Sequence, residues 1–235
     1  MIRIFAFIKE ISFFIALIAF FIVSIQTGCR QKEVDLRIRQ IEPDQAVLMA
    51  TKVDSAFKAD LPDSNLVLSL WGIDSLVISP IAIDIDDDGS LYYVTTNRQK
   101  NSEFDIRGHQ DWEIPSIQLQ SIEDKRAFLH RELSPENSER NKWLKDLNGD
   151  GSHDWRDMKI EKEHVYRLTD RNGDGVADQS QLVVEDFNDE VTDVAGGVLK
   201  TDNDMFVDVG PDLWRMKDKN GDGIADEKTS VSHGY

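Results

Sequence analysis

"VYRLTDRNGDGVAD" (165–178) and "LWRMKDKNGDGIAD" (213–226) lie over one another without a gap. Eight of their fourteen positions are identical, five more are conservative exchanges, and the offset is 213 − 165 = 48 residues. A repeat of this length, filled with short β-patterned runs, has the size of a propeller blade, in which about 40–50 residues make one four-stranded sheet. A β-sandwich with coincidental repeats is the alternative.

The segments within the period carry the strand pattern. "HVYRL" (164–168) and "DLWRM" (212–216) alternate apolar and polar residues, as half-buried strands do. "GGVLKTDNDMFVDVG" (196–210) reads as two strands turning at Thr201–Asp204. "LVLSLWG" (66–72) reads as a strand, and "IAIDIDDDGSLYYVTT" (81–96) as a hairpin turning at Asp87–Gly89. Two regions break the pattern. "DQAVLMATKVDSAFKAD" (44–60) has helical apolar spacing, and 115–144 reads as a helical insertion between blades, with Ser134 as N-cap and Pro135 in the first helical position of its second part.

The fold expected is therefore all-β: an incomplete propeller of two to three blades over 65–235, carrying that insertion. A signal helix (1–28) and a linker with a short helix (29–64) precede it.

The repeated decapeptide occurs three times, from Asp146, Asp170 and Asp218. Each copy places Asp, Asn and Asp at positions one, three and five, Gly at six and Asp at nine, which is calcium-loop spacing of the EF-hand type. The donors would be Asp146, Asn148, Asp150 and Asp154 in the first loop, with Asp157 at position twelve. They would be Asp170, Asn172, Asp174 and Asp178 in the second, and Asp218, Asn220, Asp222 and Asp226 in the third. The carbonyls of Ser152, Val176 and Ile224 stand at position seven. Hard oxygen donors favour calcium over a transition metal. The missing Glu at position twelve points to structural loops rather than a helix–loop–helix sensor. The competing reading is that Asp, Asn and Gly are simply good turn formers.

The start of the chain sets the expected compartment. Arg3 and Lys9 precede an apolar run from Ile11 to Ile25, and Thr27–Gly28 lead into Cys29, the only cysteine. This is the order of a secretory signal. Gly28–Cys29 resembles a bacterial lipobox, with Gln26 in place of the usual Leu, so Cys29 is the expected lipidation site. An uncleaved anchor is the alternative, although about 15 apolar residues fall short of the ~20 that span a bilayer. The protein is expected outside the cytoplasm of a bacterium, held to a membrane by lipid. The formal charge is −17, and loss of residues 1–28 (two cations, one anion) makes it −18. Such a surface disfavours nucleic acid and suits divalent cations.

"SPIAIDIDDDGSLYYVTT" (79–96), "NRQKNSEFDIRGHQDW" (97–112), "DLNGDGSHDW" (146–155), "EVTDVAGGVL" (190–199) and "DLWRMKDKNGDGIADEKTSVSHGY" (212–235) together resemble the glucose/sorbosone dehydrogenase-like propellers. They are most similar to the membrane-associated dehydrogenase-like branch, often fused to a CxxCH cytochrome c domain. The resemblance implies a propeller oxidoreductase acting on a sugar or polyol, with pyrroloquinoline quinone as a possible cofactor and a cytochrome c as a possible partner. The chain contains no CxxCH, so haem c would belong to a C-terminal domain lying outside this sequence. Two or three blades also fall below the four a propeller needs to close. An N-terminal fragment, inactive alone, is expected; pairing with another chain is the alternative.

Relatives of this kind use a histidine base and arginines beside the cofactor. His109 and His233 are the candidate bases, with Arg107 near His109 and Arg98 as the candidate cofactor-binding cation. A hydrogen-bonded structural role is the alternative for His109. His130, His153 and His164 read as surface residues, Trp214 and Tyr166 as blade core, and Glu190 and Asp193 as possible cleft residues. Three functions compete: the oxidoreductase, a non-catalytic calcium-stabilised binding module, and a lactonase-like hydrolase using calcium as Lewis acid.

Overall fold

The computed structural model describes residues 37–56, 65 and 68–234. Among them, nine strands form two antiparallel sheets, so the fold is mainly β as expected. The first sheet has the order β1 (Ile38–Gln40), β5 (Gln179–Asp186), β4 (Glu163–Thr169), β3 (Leu91–Thr96), β2 (Ala82–Ile85). The second is a plain meander of β6 (Ala195–Lys200), β7 (Met205–Val209), β8 (Asp212–Lys217) and β9 (Glu227–His233). These two sheets close neither a barrel nor a ring. Three α-helices accompany them: α1 (Pro43–Ala56), α2 (Gln110–Ile117) and α3 (Ile122–Glu132).

The 48-residue offset is a structural repeat. Leaving β1 aside, β2–β5 and β6–β9 are two meanders in which β4 matches β8 and β5 matches β9. The irregularities match as well. Register shifts between Val165 and Tyr166 in the β4–β5 pair, and between Leu213 and Trp214 in the β8–β9 pair, 48 residues on. Both hairpins predicted from turn residues form where expected. Gly89 N–H donates to the Asp86 carbonyl (2.9 Å), and Thr201 N–H to that of Asp204 (2.8 Å).

Strand alternation sends successive side chains to opposite faces. Tyr92, Val94, Val165, Val183 and Val184 of the first sheet meet Ala195, Met205, Val207, Val209 and Met216 of the second in one shared core. Each Val or Met so buried contributes about 1.5–3 kcal/mol. Buried Glu163 ties the same junction, accepting the Thr96 hydroxyl (2.5 Å) and the Ala195 N–H (2.7 Å). On the other face of the first sheet, Tyr93 and Leu168 are covered by Ile73, Leu76 and Ala50 of α1.

Three expectations are corrected. Residues 68–72 form no strand; Leu70 and Trp71 are extended coil packed on the Tyr93 side, where the Trp71 carbonyl accepts the Ala177 N–H (2.7 Å). The insertion does not separate blades. It spans 97–162 between β3 and β4, inside the first sheet, around a core of Trp112, Phe128, Leu129, Leu133, Leu144 and Met158 that Val191 from the loop after β5 completes. Its helices also fall differently. α2 contains Pro115, and α3 starts afresh at Ser121, whose hydroxyl accepts the Asp124 N–H (3.1 Å). Ser134 and Pro135 open only a 3₁₀ turn, Pro135–Asn137.

Candidate metal centre

The three acidic loops fold alike from position one to position seven. The position-one carboxylate accepts the N–H groups at positions four and six: Asp146 from Gly149 (2.7 Å) and Gly151 (2.9 Å), Asp170 from Gly173 (2.8 Å) and Gly175 (2.7 Å), Asp218 from Gly221 and Gly223 (2.7 Å each). The position-five carboxylate accepts the N–H at position seven: Asp150 from Ser152 (2.9 Å), Asp174 from Val176 (3.0 Å), Asp222 from Ile224 (2.9 Å). This coil requires a left-handed residue at position six, where Gly151, Gly175 and Gly223 have φ of 84°, 93° and 83°. For Asp170, burial pushes the carboxyl pKa up. The N–H groups of Gly175 and Gly173 outweigh it and hold the group below the usual carboxylate range.

The loops differ in how they close. In the first, Asp157 at position twelve accepts N–H groups from Leu147 (2.9 Å), Asn148 (3.2 Å) and Asp154 (2.9 Å). In the second and third, position nine does this work: Asp178 accepts from the Arg171 N–H and Asp226 from the Lys219 N–H, each at 3.2 Å. The first loop also has its own cation. Arg156 binds Asp154 through Nε (2.9 Å) and Nη2 (2.6 Å), lies 3.1 Å from Asp150, and holds the Asp154 pKa at about 2. In the second, Arg171 reaches Asp178 alone of the loop's carboxylates, by Nε at 2.9 Å to Oδ1, and donates from Nη2 to the Ile41 carbonyl (3.1 Å). Among the described residues no ion pair reaches Asp170, Asp174, Asp218 or Asp222.

Several buried side-chain atoms among the described residues lack a hydrogen-bond partner, Arg98 Nε, Trp214 Nε1 and Arg215 Nε among them, and one of these atoms belongs to an acidic loop of the sheets. Asp178 is fully buried, and its Oδ2 has no hydrogen-bond partner. Leaving such an acceptor unsatisfied costs about 1–3 kcal/mol. Among the described residues no three His, Cys, Asp or Glu side chains converge on one point.

The candidate catalytic groups are not brought together; among the described residues no hydrogen bond, ion pair or ring contact joins His109, Arg107, His233 and Arg98. His109 sits with its ring centroid 4.3 Å from those of both Trp112 and Trp143. Arg107 is exposed and paired with Asp105 (2.7 Å). Arg98 is fully buried and donates to the carbonyls of Ser102 (3.0 Å), Phe187 (3.1 Å) and Asp189 (3.1 Å) and to the Thr192 hydroxyl. Its guanidinium thus ties the start of the insertion to the loop after β5. His233 lies on β9, 61% exposed, with Nδ1 2.8 Å from Asp212 Oδ1. Cys29 lies outside the described residues, and among those described no helix is long and apolar enough to cross a membrane.

Other expectations change with the geometry. Glu190 is no cleft residue. It is 1% exposed and binds Arg126, His130 (2.9 Å) and Lys159 (3.1 Å). Burial raises its pKa, but these partners and a backbone N–H outweigh it and hold it at about 2. His130, half-buried, stacks on Trp155 with centroids 4.0 Å apart. His153 is anchored by Nδ1 to the Leu144 carbonyl (2.7 Å). His164 lies on the interior strand β4, 3.1 Å from the Asn97 amide. Asp193 is exposed and paired with Lys125 (2.8 Å). Tyr166 and Trp214 do pack in cores, on equivalent faces of the two sheets. No sequence signal marks Glu190 as a hub, because its partners lie 31 to 64 positions away.

A two-sheet β domain bearing three acidic loops is thus the class these features define. The chain belongs to the family described as DUF7133, a domain of unknown function, whose model matches residues 61–235. No curated protein and no solved structure matches it.

Proposed function

We propose that this chain is a calcium-stabilised module whose two sheets are successive blades of a propeller-type assembly, and that it serves as a binding and structural unit. On this reading it is exported and held at a membrane by lipid on Cys29. The observation that carries the calcium reading is the buried, unpartnered Oδ2 of Asp178 at position nine of the second loop. An ion there would be held by Asp170, Asn172, Asp174, the Val176 carbonyl and Asp178, and in the third loop by Asp218, Asn220, Asp222, the Ile224 carbonyl and Asp226. Calcium accepts six to eight oxygens in flexible geometry, which suits such a set. When bound it supplies positive charge, and the protein side fixes the β4–β5 and β8–β9 turns around it. The test is thermal melting of the full chain with calcium and then with chelator. Tm rises with calcium if the loops hold it and is indifferent to both if they are turns only.

A second reading has one observation in its favour. His233 Nδ1 is held by Asp212, which orients the ring of an exposed histidine as a general base requires. This fits the quinone- and cytochrome-linked sugar or polyol oxidoreductase implied by the resemblance. Dye reduction by the full chain with quinone, calcium and a sugar, abolished in His233→Ala, is the result that would promote this reading over the first.

A further inference from the structure

The repeat assigns an unoccupied role to two surfaces at opposite ends of the chain. In the first sheet, Val165 and Val183 are 1% and 3% exposed because the second sheet covers them. Their counterparts 48 residues on, Leu213 and Val231, lie on the far face of the second sheet, where Val231 is 46% exposed. Leu199 (53% exposed) and half-buried Phe206 extend that face across β6 and β7. Tyr92 pairs with Arg167 across β3–β4 as Phe206 pairs with Arg215 across β7–β8, so the two faces match in register.

The opposite surface behaves the same way. Ile83 pairs with Tyr93 as Val198 pairs with Val207, and Tyr93 stands opposite Tyr166 as Val207 stands opposite Trp214. Val198 packs into the core between the sheets. Ile83 has no such cover: with Ile81 and Ile85 it forms a row 46%, 57% and 62% exposed for 81, 83 and 85. Within the chain, a face of the Val165 type is already mated to a face of the Val198 type. The Val165-type face of the second sheet remains unmated, and of the Val198-type face of the first sheet only the β2 row remains, since Ile73, Leu76 and Ala50 cover its Tyr93 and Leu168.

We infer that a second copy of this chain completes the pattern head to tail, the Leu199–Phe206–Leu213–Val231 face of one copy covering the Ile81–Ile83–Ile85 row of another. The α1–Leu76 cover over Tyr93 and Leu168 confines the contact to β2 and its rim. A contact between unlike surfaces makes a ring when the rotation closes and an open chain when it does not. Two copies bring four sheets, the smallest number a propeller closes with. The inference rests on reading the sheets as units of one rotational repeat and not on calcium.

The test is sedimentation equilibrium of the full chain in density-matched detergent. The wild type is expected to associate, and Leu199→Lys and Ile83→Lys each to weaken association about tenfold or more, a change of about 1.4 kcal/mol. An equimolar mixture of the two variants should recover a dimer, since one intact pair of surfaces survives. Both positions are exposed, so the variants should fold; Val231→Lys and Ile85→Lys replace either one whose far-UV spectrum is lost. A monomeric wild type overturns the pairing, and leaves the blade reading standing with its further sheets sought in a longer chain. Dissociation by Leu199→Lys with Ile83→Lys unaffected also overturns it, in favour of a face-to-face contact. Association untouched by either variant assigns it to another surface and overturns it too.

Discussion

The insertion and the two sheet loops carry the same acidic word and hold it in different ways. In and beside 97–162 the chain supplies counter-charges of its own: buried Asp154 and exposed Asp150 share Arg156, Glu190 from the loop after β5 gathers Arg126, His130 and Lys159, and Arg98 donates to the carbonyls of Ser102 and Asp189. The loops after β4 and β8 have the same backbone coil but few cations. Asp170, Asp174, Asp218 and Asp222 lack ion pairs among the described residues, and Asp178 keeps an orphaned oxygen. The difference teaches that a loop's sequence sets its shape, while its surroundings decide how much of its charge the chain itself neutralises.

The largest effect expected is at Arg98. Arg98→Ala strips donors from three carbonyls and should cost about 4 kcal/mol by denaturant midpoint, at about 1–3 kcal/mol for each unsatisfied buried group. A cost below about 1 kcal/mol would break the self-sufficient picture of the insertion. Glu190→Gln should cost about 1–2 kcal/mol at neutral pH, because half-exposed Arg126 and Lys159 lose one counter-charge and keep Asp189 at 3.0 and 3.9 Å.

The pH dependence sharpens the same point. Glu190 and Asp154 are both held at about 2 in the folded protein, below their unfolded values of about 4.3 and 3.9. Their stabilisation is complete above the unfolded values and is lost as pH falls through about 4 toward 2. Glu190→Gln should therefore flatten the acid limb of the stability curve. An unchanged limb would assign acid sensitivity to other groups. The smallest effect is expected in the first loop, where Asp150→Ala should leave the calcium-dependent part of Tm within error, since Arg156 already serves that loop.

Much of this fold was legible in the sequence where a pattern is local. The 81–96 hairpin, β4, and β6 through β8 follow from alternation bounded by turn residues. "LSLW" misled because its apolar residues are buried as coil on the Tyr93 face, and alternation reports burial on one side rather than a pairing partner. Helical composition revealed the insertion but not its topology, which only the β3–β4 register settles. The loops' shared coil could be read from spacing alone. Arg98 could not, because the carbonyls it binds at Phe187 and Asp189 lie 89 and 91 positions away. His109 could be read only as a candidate base or a hydrogen-bonded structural histidine, not as a ring 4.3 Å from those of both Trp112 and Trp143.

The central proposal is that the second and third loops bind calcium, since Asp170, Asp174, Asp218 and Asp222 have no ion pair among the described residues. The most direct measurement is the melting temperature of the full chain with calcium and with chelator, for the wild type and for Asp174→Ala with Asp222→Ala. At a hundredfold excess over Kd, binding contributes about 2.7 kcal/mol to the native state. The account predicts a wild-type Tm several degrees higher with calcium than with chelator, and a difference largely lost in the double variant. A wild-type melt that is the same in calcium and in chelator would contradict it, and would leave all three acidic strings as turns.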